Sequence, residues 1–479
     1  LSQSIQSSLH LKFHPNLIMQ KIYKLFVEAL DGKEKDFVSG SINRAIALLS
    51  IPMILEMAME SLFAVVDAFF VAKISVQAVA AVGLTESVLT LIYSLAIGLS
   101  TAASAMVARR VGEGKPGKAA VAAMQSIYIA TVISIVIGIL GLLYAENVLR
   151  WLGGDDDMVR NCVGYTRIAF GSNIAIMLLF LLNGVFRGAG DAAIAMRSLW
   201  LANGINIVLD PILIFGLGPI PAFGIEGAAI ATAIGRGVGV VYQLNILWKG
   251  SSIIHLTKEH LHFHWKTTVK LLKIAYTGAL QFIIASASWI FLMRIIARFG
   301  DDAVAGYTIS IRLLVFTILP SWGIANAAAT LVGQNLGAKQ PERAEISVWR
   351  AAFYNMLFLA TVSVLYFFSA EYLIRIFDDT PGVVEAGVLS LRIICAGYIF
   401  FAYGMVISQS LNGAGDTRTP TIINLICFWA MEIPLGYLLA VTLEWELAGV
   451  CWAIAISETM AAVLCIWVFR RGRWKLIEI

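Results

Sequence analysis

Charge is what this chain has least of: Asp, Glu, Lys and Arg make up 14% of its 479 residues, where a soluble globular chain carries about 25%. Histidine is scarcer, and all six lie outside the long apolar runs: His10 and His14 near the start, and His255, His260, His262 and His264 in one polar stretch. A histidine proton relay through apolar spans is therefore excluded. So is the nucleophile–base or metal cluster that an intramembrane enzyme needs. The alternating His260, His262 and His264 read as a solvated loop rather than a metal site. The five cysteines, Cys162, Cys395, Cys427, Cys451 and Cys465, lack metal-ligand spacing and read as packing residues. A net charge of +4 is too small to suggest a nucleic-acid partner, and no organic cofactor is expected.

Apolar sequence is abundant: 59% of residues are hydrophobic and the mean hydropathy is +0.81. Runs long enough to cross a bilayer recur at 44–72, 79–108, 120–144, 160–186, 191–217, 224–248, 268–297, 303–332, 346–369, 384–410, 418–442 and 447–469. The expected protein is an all-α, polytopic membrane protein with twelve transmembrane helices. Arg109, Arg110, Lys115, Lys118, Lys249, Lys258, Lys339, Arg343 and Arg470 follow even-numbered runs, whereas Asp155, Asp156, Asp157, Asp301 and Asp302 follow odd ones. The bias of Lys and Arg places both termini in the cytoplasm of a plasma (inner) membrane protein. Residues 1–40 are polar, show no cleavable-signal pattern and are expected to be a loosely ordered cytoplasmic tail. Met19 is a candidate initiator, with residues 1–18 then a tag or upstream translation.

The chain repeats itself. Val111-Gly112-Glu113-Gly114-Lys115-Pro116 matches Leu336-Gly337-Ala338-Lys339-Gln340-Pro341, and Gly188-Ala189-Gly190-Asp191 recurs as Gly413-Ala414-Gly415-Asp416, both at a separation of 225 residues. The expected division is a tail (1–40), a first lobe (41–248), a cytoplasmic inter-lobe loop (249–267) and a second lobe (268–479). The lobes are pseudo-symmetric six-helix units with the site between them.

Three carboxylates interrupt the first run. At about 100° per residue, Glu56, Glu60 and Asp67 fall within roughly 40° of one another and form a stripe about 16 Å long. Acids at such depth are expensive and mark an ion or substrate path. Glu56 and Glu60, one turn apart, are expected to share a proton and release it to an arriving cation. In the fifth run Asn203, Asn206 and Asp210 share a face, and Pro211 is expected to kink or open the helix there. Thr232 and Arg236 are similarly spaced in the sixth, and Tyr165, Asn173 and Asn183 lie in the fourth. Oxygen ligands suit a hard cation, and paired carboxylates suit proton uptake. Asn173, Asn183 and Asn203 suit interhelical hydrogen bonding equally well.

Several of these segments carry a resemblance. Ile51-Pro52, Asp67 with Phe69-Phe70-Val71, Ala80-Ala81-Val82-Gly83, Arg187-Gly188-Ala189-Gly190-Asp191, Asn206-Ile207-Val208-Leu209-Asp210-Pro211 and Gly224-Ile225-Glu226-Gly227-Ala228-Ala229 resemble multidrug and toxic compound extrusion (MATE) transporters of the prokaryotic DinF-like branch. The resemblance runs from about residue 40 to the end. It implies that Asp67, Asp210, Asn206 and Thr232 couple transport to H⁺ or Na⁺, holding the metal ion if sodium is used, and that Tyr165 is a nearby polar position. Glu56, Glu60, Tyr165, Asn183 and Gln281 are the candidate substrate contacts. The implied activity is export of amphipathic, cationic compounds by a monomer in the lipid bilayer. The alternative within the superfamily is a lipid-linked oligosaccharide flippase, which the acids of the first lobe disfavour. Gln281, Ser286, Tyr398, Tyr403 and Gln409 stand where another branch of the family carries acids, so coupling is expected in the first lobe. Arg294 and Arg312 give the second lobe a different character. Arg312 is expected to be deep and to need a partner, while Phe282, Trp289, Phe291 and Trp322 offer aromatic surface.

Overall fold

The computed structural model describes residues 15–32 and 36–479; His10 and His14 lie outside them. The described chain is almost wholly helical: α1 Pro15–Asp31, α2 Ile42–Ala72, α3 Val76–Gly112, α4 Pro116–Trp151, α5 Asp156–Gly171, α6 Asn173–Ala189, α7 Ala192–Phe215 and α8 Ile225–Lys249. After a connecting segment come α9 Trp265–Ile296, α10 Asp301–Gly337, α11 Pro341–Arg375, α12 Pro381–Ala396 and α13 Tyr398–Ala414, then α14 Arg418–Thr442 and α15 Glu446–Arg470. Among the described residues, ten helices are long and apolar enough to cross a membrane, with α5 and α6 counted together; the pair α12 and α13, bent by 56°, makes an eleventh. The acid-bearing α2, packed between α7 and α10, completes twelve.

Local chemistry sets the helix ends. Ser75 caps α3 by accepting from Ala78 N–H at 3.0 Å, and Asp155 caps α5 through Met158 N–H at 2.7 Å. Pro116 and Pro341 open α4 and α11, where a missing N–H costs nothing. The repeated Gly-Ala-Gly-Asp has a physical cause. Gly190 and Gly415 stand at φ +90° and +92°, and each ends its helix in the left-handed conformation.

Two runs are broken at mid-depth, and in both a side chain stitches the gap. Asn173 Nδ2 donates to Phe170 O at 2.6 Å and to Ser134 O at 3.0 Å. In the second lobe Ser363 Oγ donates to Cys395 O at 2.7 Å. In α14 the segments Leu425–Glu432 and Leu438–Thr442 are π-helical, on either side of Pro434, whose missing donor disturbs the i→i−4 ladder.

The other repeated motif closes one end of the molecule. A Cβ on Gly112 would stand 2.0 Å from Gln334 O, and one on Gly337 2.2 Å from Arg109 O, so α3 and α10 touch backbone to backbone across the lobes. Arg109 Nη2 donates to Ala414 O at 3.2 Å and Ile477 O at 3.0 Å, and Gln334 Nε2 to Gly188 O at 3.0 Å.

Two expectations about the fold are corrected. Residues 15–31 are helical and not loosely ordered: α1 buries Ala29, and Arg44 pairs with Glu28 at 3.2 Å. The inter-lobe segment keeps His262 and His264 exposed, as expected of a solvated loop, and is also tethered: Ile254 and Leu256 are buried, and the Gln125 and Tyr128 side chains donate to His262 O and Leu261 O at 2.9 and 2.8 Å. Pro211 does not open α7, which continues to Phe215. It only leaves the Ile207 carbonyl without its N–H partner. All five cysteines are free and buried.

Candidate functional site

The acids of α2 serve two chambers. A cavity of about 260 Å³ between the lobes is lined by Glu56, Glu60, Asn183 and Arg187 on one side and by Trp322 and Asn412 on the other. Glu56 is fully buried. Its Oε1 accepts from Arg187 Nη1 and Asn183 Nδ2, both at 3.0 Å. Both donors are held in turn: Gln243 Nε2 donates to Asn183 Oδ1 at 2.5 Å, and Arg187 Nη2 to Ser100 Oγ at 3.2 Å. Glu60 accepts from Asn203 Nδ2 at 3.1 Å and faces Arg236 Nη2 at 3.7 Å. With 23% of its side chain exposed, Glu60 is the acid that a solute in the cavity meets.

A smaller chamber of about 60 Å³ lies inside the first lobe, lined by Asp67, Glu86, Tyr165, Thr232 and Arg236 among others. Tyr93 lines both chambers and is held by Arg236, which lines the smaller one. Arg236 Nη1 donates to the Tyr93 hydroxyl at 2.8 Å, and its guanidinium lies 5.5 Å from the ring centroids of Phe63 and Tyr93.

Beside this chamber Asn206 Nδ2 reaches Thr232 Oγ1 at 3.1 Å and Asp210 Oδ1 at 3.4 Å. Asp210 Oδ2 and Asn206 Oδ1 are buried without a hydrogen-bond partner. A buried carboxylate oxygen with no donor is costly unless a proton or cation meets it. Asp210 Oδ2, Asn206 Oδ1 and Thr232 Oγ1 are all hard oxygen donors, so the set fits a small hard cation as well as a proton.

The structure thus gathers Asp67, Thr232 and Tyr165 in one chamber with Asn206 and Asp210 next to it, and places Glu56, Glu60 and Asn183 in the other. Tyr165 lines the smaller chamber beside Asp67 and not the central cavity. Gln281 lies outside both chambers, donating to Ser408 Oγ at 3.3 Å, because its face of α9 turns toward α13. Glu56 and Glu60 each face an arginine of their own, Arg187 at 3.0 Å and Arg236 at 3.7 Å. Arg312 is exposed on the surface of α10, where no acid pairs with it among the described residues. Trp322 reaches the central cavity stacked on Phe282 at 5.3 Å, whereas Trp289 and Phe291 are exposed. Sequence reasoning missed Glu86, whose signal was a lone acid in the apolar second run, and the cavity role of Arg187, which it read only as part of the Arg187-Gly188-Ala189-Gly190-Asp191 segment.

A two-lobed bundle of twelve helices that encloses acids and a central cavity is the architecture of a secondary membrane transporter. The chain belongs to the MatE family, whose model matches residues 52–212 and again 278–438, once in each lobe. The probable multidrug resistance protein NorM of Thermotoga maritima is 25% identical over 453 residues, covering 95% of this chain and 97% of that protein. The FAD transporter of Shewanella oneidensis is 26% identical over 439 residues, covering 91% and 96%. A solved structure described as the outward-facing conformation of a multidrug resistance MATE family transporter of the MOP superfamily matches with a TM-score of 0.87 at 26% identity, over 93% of this chain and 99% of that one.

Proposed function

We propose that the protein is an H⁺- or Na⁺-coupled antiporter that exports amphipathic, cationic organic compounds by alternating access. The observation that carries this reading is the pair of partnerless buried oxygens on Asp210 and Asn206 beside Thr232, one arginine away from a cavity whose accessible acid is Glu60. An ion taken up by Asp210 and Asp67 changes the charge behind Arg236, and Arg236 contacts Glu60 directly. Ion and cargo therefore act on one guanidinium from opposite sides. The lobes close at the end that carries Arg109, Arg110 and Lys115. If that end is cytoplasmic, as the basic bias supports, the present arrangement faces outward across a plasma (inner) membrane, with both termini inside. A single chain contains both chambers, which supports a functional monomer.

An anionic cargo, such as the name of the Shewanella relative gives for that protein, is the competing reading and draws on Arg187. Glu56 already occupies that guanidinium, as it would against the pyrophosphate of a flippase substrate. The test is transport by purified protein in proteoliposomes, with pH and sodium gradients imposed separately. Cationic dye should move outward against one of these gradients. Dye that only equilibrates under both gradients would remove the antiport reading.

A further inference from the structure

The second lobe contains an acid pair that the scheme above does not use. Glu432, 2% exposed, stands on the π-helical stretch of α14. Glu458 on α15 is half-buried, on the helix face that also carries the buried Cys451, Ala455 and Ala462. Close approaches set the register of these antiparallel helices. A Cβ on Gly436 would lie 3.6 Å from Ala453 Cβ, and one on Gly449 2.5 Å from Ala440 N. Extended by one turn, that register brings Glu432 opposite Ser457 and Glu458.

The same helix pair in the first lobe is α7 and α8, where Gly227 presses on Leu213 O as Gly449 presses on Leu439 and Ala440. Counted from these matched glycines, Glu458 takes the place of Arg236. Counted back from Leu213 and Leu439, Glu432 takes the place of Asn206. The local sequences agree, with Ala231-Thr232-Ala233-Ile234-Gly235-Arg236 answering to Ala453-Ile454-Ala455-Ile456-Ser457-Glu458. The second lobe has therefore exchanged the arginine that neutralises the first lobe's acids for another acid.

Among the described residues, neither glutamate accepts a hydrogen bond or pairs with a cation. The titratable groups nearby are Cys427 on α14, Cys451 and Cys465 on α15, and Tyr307 on α10. Arg294 of α9 and Arg298 in the turn that follows it line a surface groove with Ile433 and Pro434 but form no ion pair with Glu432. Tyr307 is a separate observation that points to this place. It is 3% exposed, its hydroxyl has no hydrogen-bond partner among the described residues, and it packs in one buried cluster with Ala440 of α14 and Val450 and Cys451 of α15. Two unpaired carboxylates in low-dielectric surroundings cannot both stay ionised without a compensating charge. No set of three His, Cys, Asp or Glu side chains that could hold a metal exists among the described residues.

We propose that Glu432 and Glu458 form a second-lobe proton site, in which one carboxyl O–H, formed by taking a proton from water, is shared between the two glutamates beside the Tyr307 hydroxyl. This goes beyond the antiport scheme, which places coupling in the first lobe. It also stands or falls separately, because its test reads protonation and not transport. Infrared spectra of the full-length protein in detergent, in sodium-free buffer from mildly acidic to mildly alkaline pH, should show a protonated-carboxyl C=O band in the difference between parent and Glu432→Gln, and between parent and Glu458→Gln. The band should persist in Asp67→Asn/Asp210→Asn and shift in Tyr307→Phe. Glu458→Arg, which rebuilds the first-lobe arrangement, should abolish it by turning Glu432 into a paired carboxylate, and it serves if a glutamine variant fails to fold. Difference spectra that contain only ionised-carboxylate bands at every pH would overturn the proposal.

Discussion

Arg187 Nη1 lies 3.0 Å from Glu56 Oε1, with the acid 1% and the arginine 13% exposed. The residues come from α2 and α6, and their pairing makes Glu56 part of the cavity wall. Removal of one partner from a buried pair leaves an uncompensated charge. Arg187→Gln should therefore lower stability by about 3–5 kcal/mol, whereas Glu56→Gln/Arg187→Gln should recover most of that loss. Unfolding curves in detergent for the two single variants and the double variant measure the coupling. Additive losses would mean that the ion pair has no structural weight.

Asp67→Asn and Asp210→Asn should each abolish gradient-driven efflux while the protein stays folded, because an amide cannot take up and release a proton. Asn206→Ala and Thr232→Ala should weaken sodium-driven transport more than proton-driven transport, since they remove oxygen ligands but no titrating group. The readout is dye movement in proteoliposomes under each gradient. Full coupling in either aspartate variant would make that residue structural.

Glu60 is the accessible acid of the cavity, so Glu60→Gln should lower affinity for cationic compounds about tenfold, equivalent to about 1.4 kcal/mol, and leave neutral compounds of similar shape unaffected. Calorimetric titration of both classes decides the point. Equal losses for the two would show that Glu60 shapes the cavity without reading charge.

Closure of the basic end depends on backbone contact. Gly337→Val places a side chain where even a Cβ would sit 2.2 Å from Arg109 O, and a backbone atom at a helix crossing has no room to yield. The variant should favour opening at that end. A cysteine reporter at Thr101, which lines the central cavity, should then be alkylated faster from the side carrying Arg109. An unchanged rate would mean that the lobes do not part there.

Orientation has its own test. Single cysteines at Lys115, Lys258 and Arg418 should react only with reagent on the cytoplasmic side, and one at Asp156 only with reagent outside. The opposite pattern would invert the assignment made from the basic residues.

Much of this molecule is a local property of its sequence. Twelve apolar runs, the repeat at 225 residues and the shared face of Glu56, Glu60 and Asp67 follow from hydrophobicity and helical periodicity, which need no knowledge of neighbours. Tertiary packing decided which acid is neutralised and which is left bare. Glu56 meets Arg187 and Glu60 meets Arg236 only because of how α2 is seated between α7 and α10. The proposed pairing of Glu432 with Glu458, without an arginine, depends on the register that glycine contacts give α14 on α15. Periodicity tells which way a side chain points along its own helix. The charge it meets depends on the axial offset of the next helix, and a shift of one turn there, about 5.4 Å, exchanges one partner for another.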